Sequence, residues 1–211
     1  MIGIVDYGMG NMHSVGSAFQ AIGREILLVT EPEQLRDVAS IVLPGVGSFG
    51  DAMENLRARR LIGELETQVL ANRKPFLGIC LGLQILATTG FEHGEHAGLG
   101  WVPGTVEKLP ASIGDQPLRV PHIGWNEVHA TAGDGLYAGL GDEPAFYFVH
   151  SYVLKPNGPA TINGACHYGV DFAASITSGN IAAVQFHPEK SHRAGLRLLR
   201  NWCERIAEPI V

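Results

Sequence analysis

Charge is scarce in this sequence. Only 17% of its 211 residues are Asp, Glu, Lys or Arg, against about 25% in an average globular protein, and a weakly charged surface suits burial against another chain. What charge there is runs negative. Fifteen basic against 21 acidic residues leave a net charge of −6, and no cluster of Lys or Arg tracks a phosphate backbone, which argues against nucleic acid as a partner. Cysteine is sparse too: Cys80, Cys166 and Cys203 are odd in number, far apart and outside any CxxC spacing. A disulfide framework and a zinc ribbon are therefore not indicated, and a reducing cytoplasm is expected. No stretch approaches the roughly 18 apolar residues of a membrane span. The opening Met1-Ile2-Gly3-Ile4-Val5-Asp6 has neither the basic start nor the apolar length of a signal peptide. The chain is 45% hydrophobic and, at about 100–200 residues per domain, residues 1–211 read as a single domain with a substantial core.

Through the first ninety residues short apolar runs alternate with longer amphipathic ones, the rhythm of β-α-β units around a parallel sheet. Strands are expected at Ile2–Val5, Ile26–Val29, Ser40–Leu43 and Phe76–Ile79, and helices near Met12–Ile22, Ser48–Arg59 and Leu61–Asn72, with a fourth starting at Leu81. From Trp101 to Tyr168 the pattern changes to short β-like runs broken by Pro and Gly, including Thr105–Lys108, Trp125–His129, Phe146–Val149 and Ile162–His167. These read as antiparallel strands added to the α/β core. A last apolar strand, Ile181–Phe186, precedes a helix with Leu196, Leu199, Cys203 and Ile206 on one face and Ser191 as its N-cap. Gly94–Gly100 and Ser112–Gln116 read as loops.

The most informative segment is Pro75-Phe76-Leu77-Gly78-Ile79-Cys80-Leu81-Gly82-Leu83-Gln84, an apolar strand running through a G-x-C-x-G turn into a helix. This is the pattern of a nucleophile elbow: a strained turn exposes the reactive atom, and the flanking glycines let neighbouring backbone approach closely. A helix start at Cys80 favours an anionic sulfur and offers N–H groups to an oxyanion. Such a nucleophile needs a base with an orienting partner. His187-Pro188-Glu189 follows the last strand, and in an extended segment residues two apart point the same way, so Cys80, His187 and Glu189 form a candidate triad. Gly45-Val46-Gly47-Ser48-Phe49-Gly50 matches GxGxxG, but it follows the wrong strand for a dinucleotide and lacks the acid that should come about 20 residues later. Pro44–Gly47 reads better as a strand whose N–H groups face the oxyanion. His93-Gly94-Glu95-His96 has no evident further ligand, so no metal site is expected there. His150 and His167 are expected to be satisfied by local hydrogen bonds. Pro121-His122-Ile123-Gly124-Trp125-Asn126 suits an interface anchor, although a buried Trp on a strand fits the composition equally well.

Gly78–Gln84 and Gln185-Phe186-His187-Pro188-Glu189-Lys190-Ser191 resemble the nucleophile and base motifs of the class I, or triad, glutamine amidotransferases. Asp6–Asn11, Pro44–Phe49 and Pro121–Asn126 are similar to segments of one branch of that family, the glutaminase subunits of imidazole glycerol phosphate synthase. The resemblance implies a class I amidotransferase fold with a flavodoxin-like core: a mostly parallel sheet flanked by helices, with an added antiparallel section. It implies hydrolysis of glutamine by Cys80, His187 and Glu189, with no cofactor or metal. The oxyanion would be held at Gly47 and Leu81, and the glutamine by Gln84, Ser151 and Tyr152. Ammonia would pass to a partner, the cyclase subunit, a (β/α)8 barrel that docks near Asn11, His122, Trp125, Asn126 and Lys190. The reaction belongs to histidine biosynthesis. A paralogous subunit serving another synthase, such as a sugar-amidating enzyme, and a stand-alone cysteine hydrolase remain alternatives. The chain departs from the family pattern at His192, where a small residue is usual, and at Leu83, where Met is common.

Overall fold

The computed structural model describes residues 1–130, 135–141, 143–157 and 162–207, the last three by backbone alone. Four near-continuous apolar runs form its centre: β1 (Ile2–Val5), β3 (Ser40–Gly45), β4 (Phe76–Cys80) and β16 (Ile181–Val184), every residue of which is buried. Strands buried on both faces have no use for polar alternation. With β2 (Ile26–Val29) they pair in parallel in the order β2-β1-β3-β4-β16, the flavodoxin-like arrangement. Three antiparallel strands extend the β16 side to complete an eight-stranded sheet: β15 (Val170–Ser178), β14 (Ile162–Tyr168) and β11 (His129–Ala130).

Two cores lie on opposite faces of this sheet. Alternation along the strands sends Ile41 and Leu43 into one and Val42 into the other. The first core is roofed by α2 (Phe49–Ala58) and α3 (Leu61–Glu66), the second by α1 (Met12–Ala21) and α5 (His192–Ala207), where Phe19 meets Trp202 edge-on at 5.9 Å. Asn11 caps α1 by accepting the Ser14 N–H, and Ser48 caps α2 by accepting that of Asp51. No helix among the described residues is long and apolar enough to cross a membrane.

Several expected elements differ, among them the strand expected over Trp125–His129, which is divided between His122–Glu127 and His129–Ala130 in two different sheets. The helix expected over Leu61–Asn72 ends as α at Glu66 and continues as a π-helical turn over Thr67–Ala71. The helix starting at Leu81 is a single buried turn, α4 (Leu81–Gln84), because the chain leaves it for β5 (Ala87–Gly90). Ser191 precedes α5, but its hydroxyl donates to the His187 carbonyl (2.6 Å) and accepts the Tyr147 N–H (3.0 Å), turning away from the helix it was expected to cap. On the predicted apolar face of α5, Leu199 and Cys203 are buried and Leu196 is half-buried; the side chain of Ile206 lies outside the described residues.

Beside the large sheet, β5 joins β6 (His96–Ala97), β7 (Val102–Lys108) and β13 (Tyr152–Pro156) in a four-stranded sheet. A hairpin pairs β8 (Ser112–Ile113) with β9 (Gln116–Pro117). Finally β10 (His122–Glu127) pairs antiparallel with β12 (Ala145–His150). The two loops expected from sequence thus contain β6 and the β8–β9 turn.

Candidate active site

The carboxyl ends of β3, β4 and β16 converge, the position where open α/β sheets place their reactive groups. At the end of β4, Cys80 has φ 54° and ψ −106°, a left-handed conformation costly for any residue with a side chain. The turn that holds it depends on its glycines. A Cβ at Gly78 would lie 2.6 Å from the Gly82 carbonyl oxygen, and one at Gly82 would collide with the Leu43 carbonyl of β3. Cys80 is buried, and its Sγ accepts from Gln185 Nε2 at 3.7 Å.

Past β16 the chain turns at His187-Pro188-Glu189. His187 Nδ1 lies 2.7 Å from Glu189 Oε1, both side chains being 3% exposed. Burial opposes protonation of the imidazole. The facing Cys80 sulfur and the hydrogen-bonded Glu189 carboxylate outweigh burial and push His187 up to about 10. The interaction with the Cys80 sulfur is the first of the influences that favour the proton, ahead of Glu189. The His187 N–H donates to the Tyr147 carbonyl (2.9 Å), so together with the Ser191 bonds the base segment is tied to β12 on both sides of Tyr147.

Cys80 opens onto a cleft of about 400 Å³ whose walls include Gly47, Leu81, Gln84, Ser151 and Tyr152. All five residues expected at the oxyanion and the substrate therefore meet in one place. Gly47 follows β3 with φ 113°, and a Cβ there would lie 2.5 Å from the Met9 Cε. Under this strand lies the buried Tyr7, whose hydroxyl abuts Gly45 and is raised by burial and then by Cys80. Leu81 is the first residue of α4, where an N–H falls outside the helical ladder. Both amide hydrogens of Gln84 are used, on the Tyr152 carbonyl (2.8 Å) and on Gln185 Oε1 (3.2 Å). Gln84 therefore presents only its oxygen to the cleft.

The expected contact residues divide. Asn11 is exposed beside the cleft strand, Lys190 lines the cleft, and Trp125 is 49% exposed on β10 next to Ile123 at 59%. His122 is different: only 2% of it is exposed. The alternation of β10 turns it inward, between the rings of Phe148 and Tyr168, so it is not itself a surface residue. Asn126 faces the same way and is half-buried. The residue flagged as unusual, His192, has φ 48° and stacks on Trp125 at 5.2 Å with the rings 6° from parallel.

Three residues of the site escaped the sequence reading. Gln185 stands two positions before His187, and strand periodicity alone would have paired them. Glu92 lines the cleft from the loop after β5 and accepts the Phe49 N–H, a placement without local signal. His150, as expected, has a local partner in the Tyr152 carbonyl, yet it also lines the cleft.

A family model, glutamine amidotransferase class-I, matches residues 3–206. The chain belongs to this family. Among curated relatives it is 43% identical over 205 residues to the imidazole glycerol phosphate synthase subunit HisH of Moorella thermoacetica, covering 97% of this chain and 95% of that protein. The like-named protein of Desulfitobacterium hafniense (strain DSM 10664 / DCB-2) is 44% identical over 208 residues, with 99% and 96% covered. Solved structures share the fold at lower identity. A crystal structure of a glutamine amidotransferase superposes with a TM-score of 0.76 at 20% identity, covering 98% of this chain and 99% of that one. The structure of PurLQS from Thermotoga maritima gives 0.75 at 18%, covering 97% and 98%. The mixed sheet with its added antiparallel strands is thus the class-I amidotransferase fold.

Proposed function

We propose that this chain is the glutaminase subunit of an imidazole glycerol phosphate synthase, releasing ammonia from L-glutamine for histidine biosynthesis, and that residues 1–211 act as one amidotransferase domain. The observation that carries the chemistry is the buried His187, bonded to Glu189 on one side and facing on the other the sulfur of Cys80, which lines the cleft. The Cys80 thiolate attacks the side-chain carboxamide carbon. The Gly47 and Leu81 N–H groups hold the oxygen that becomes negative. Protonated His187 passes its Nε2 proton to the departing nitrogen, the C–N bond breaks, and ammonia leaves behind a glutamyl thioester. Water then gives a proton to His187 and its oxygen to the thioester carbon, and glutamate departs as the thiolate is restored. Glu189 holds the imidazole's orientation and balances its charge throughout. The Gln84 oxygen accepts from the substrate, Ser151 and Tyr152 line its other side, and the Glu92 carboxylate in the cleft wall suits the substrate's ammonium.

The partner in this reading is the cyclase subunit, a (β/α)8 barrel. Exposed Ile123 and Trp125, the cleft-rim Val46 at 44% exposure and the sparse charge of the chain support docking at this mouth. Asn11, Asn126 and Lys190 flank it. The test is glutamate release from glutamine by the chain alone, then with a cyclase subunit and its nucleotide substrate, with Cys80→Ala as control. The expected result is strong stimulation by the partner that vanishes in the variant. A high rate indifferent to the cyclase would point instead to a stand-alone hydrolase or another synthase.

A further inference from the structure

The cleft is connected through the protein interior to the strand that carries Trp125. His122 and His150 sit directly opposite each other in the β10–β12 register, and their rings approach with His122 Nδ1 3.1 Å from His150 Nε2. His150 Nδ1 lies 3.1 Å from the Tyr152 carbonyl oxygen. A carbonyl only accepts, so His150 carries its proton on Nδ1 and its Nε2 is bare. His122 must then donate from Nδ1, leaving its own Nε2 bare, and the Asn126 amide Nδ2 stands 3.4 Å away to donate to it. The orientation of that amide is set independently: its oxygen accepts the Glu127 N–H (2.9 Å), and its second hydrogen goes to the His167 carbonyl (3.0 Å). Every proton in the series has one place.

The rings have little freedom to turn. His122 is stacked between Tyr168 at 3.9 Å and Phe148 at 4.9 Å. Burial keeps both imidazoles neutral, His122 down at about 4 and, with the added opposition of His122, His150 down at about 3. At the inner end, the Tyr152 carbonyl receives both His150 and Gln84, and Gln84 leads through Gln185 to the Cys80 sulfur.

We propose that His122 and His150 are positioning residues forming a one-way hydrogen-bond relay from β10 to the Tyr152 carbonyl, which holds the substrate wall of the cleft and makes its geometry depend on how β10 is held from outside. This rests on the reading of the cleft as a glutaminase site and of β10 as a docking strand. The relay supplies what a surface contact lacks, a continuous donor-to-acceptor path between the face that meets a partner and the residues that meet glutamine. It carries no proton in the reaction and touches no reacting atom.

Two substitutions separate its parts. His122→Phe keeps an aromatic ring between Phe148 and Tyr168 but removes both ring nitrogens. His122→Asn places an amide N–H where Nδ1–H stood and restores the donor to His150. Steady-state glutamine hydrolysis is measured for each, with and without the cyclase subunit and its nucleotide, and nitrogen-15 spectra of the full-length chain read the histidine tautomers. In the wild type both histidines are expected as Nδ1–H tautomers. His122→Phe raises KM for glutamine by about five- to tenfold, the weight of one buried hydrogen bond, and cuts the partner's stimulation by at least about fivefold. His122→Asn recovers both to within about twofold of wild type. KM and stimulation unchanged in His122→Phe, or an Nε2–H tautomer at either histidine in the wild type, would overturn the relay. The tautomers are read without turnover, so a wild-type chain that released no glutamate would defeat the glutaminase reading while the spectra still decided the relay.

Discussion

Gly82 places its α-carbon against the main-chain carbonyl of Leu43, so closely that a methyl group there would enter the oxygen. The elbow that presents Cys80 is thereby clamped to the neighbouring strand β3, and Gly78 closes the turn from the other side. Gly82→Ala is expected to destabilise the chain by more than about 3 kcal/mol, the range of severe overpacking against rigid backbone. Gly63 in α3 offers the contrast, since nothing lies within 4 Å of a Cβ added there. Gly63→Ala should stabilise by about 0.5–1 kcal/mol through helix propensity. Urea melts of both variants test the clamp, and an unchanged midpoint for Gly82→Ala would refute it.

Glu189→Gln keeps a hydrogen-bond acceptor for His187 Nδ1 but removes the charge that helps raise the imidazole. The expected loss is about 10²- to 10⁴-fold in kcat, as for other triads deprived of their carboxylate, with KM for glutamine little changed. The sign of the pH effect follows from His187 standing at about 10. With less to hold the proton, imidazolium is lost at lower pH, so the alkaline limb of the rate profile shifts downward. A variant with the wild-type profile would remove Glu189 from the triad.

Ser191 is 1% exposed, and its hydroxyl joins the base segment to β12. Ser191→Ala takes away the acceptor of the Tyr147 N–H, while the His187 carbonyl keeps the Lys190 N–H, for an expected loss of about 1–3 kcal/mol. The same change loosens the backbone under His187, and kcat should fall more than KM rises. Thermal melts and glutaminase kinetics read the two effects separately.

His150 gives the native state an acid sensitivity. Its folded value of about 3 lies below the ordinary histidine value near 6.5, so as pH falls through 6.5 the unfolded chain takes up the proton first. Stability from this group is whole above pH 6.5 and is lost progressively toward pH 3. His122, held at about 4, acts with the same sign. Between about pH 7.5 and about pH 5 the wild type should lose roughly 2 kcal/mol more than His150→Gln. Comparing one protein with its variant cancels other titrating groups, His187 among them. Equal losses in urea melts at the two pH values would show that His150 is not buried neutral.

Much of this was legible in advance. The ranges of β1 and β2 agree with those expected, and those of β3 and β4 differ only at their ends, because continuous apolar runs bounded by turn residues have few other uses. The turn at Cys80 and the pairing of His187 with Glu189 were visible too, since a strained turn needs its glycines wherever it occurs and residues two apart in an extended segment point the same way. The misjudged elements are those whose local preference was overruled from a distance. Leu81-Gly82-Leu83-Gln84 begins like a longer helix, but all four residues are buried and the chain continues into β5. Ser191 has the composition of an N-cap, yet the N–H of Tyr147, 44 positions away in sequence, claims its oxygen.

Apolar periodicity and turn chemistry, both properties of neighbours along the chain, were sufficient to indicate the parallel core and the glycine-bounded turn at Cys80, and the resemblance of the motifs around Cys80 and His187 indicated the family. The hydrogen bonds that unite Cys80, Gln185, Gln84, Tyr152, His150, His122 and Asn126 join residues as far apart in sequence as Gln185 and Cys80, separated by 105 positions. Which atom of a glutamine faces the sulfur, and which nitrogen of a histidine is bare, is settled by the partners that packing brings within about 3 Å of them. No pattern along the chain encodes those partners, because each depends on where several strands end relative to one another.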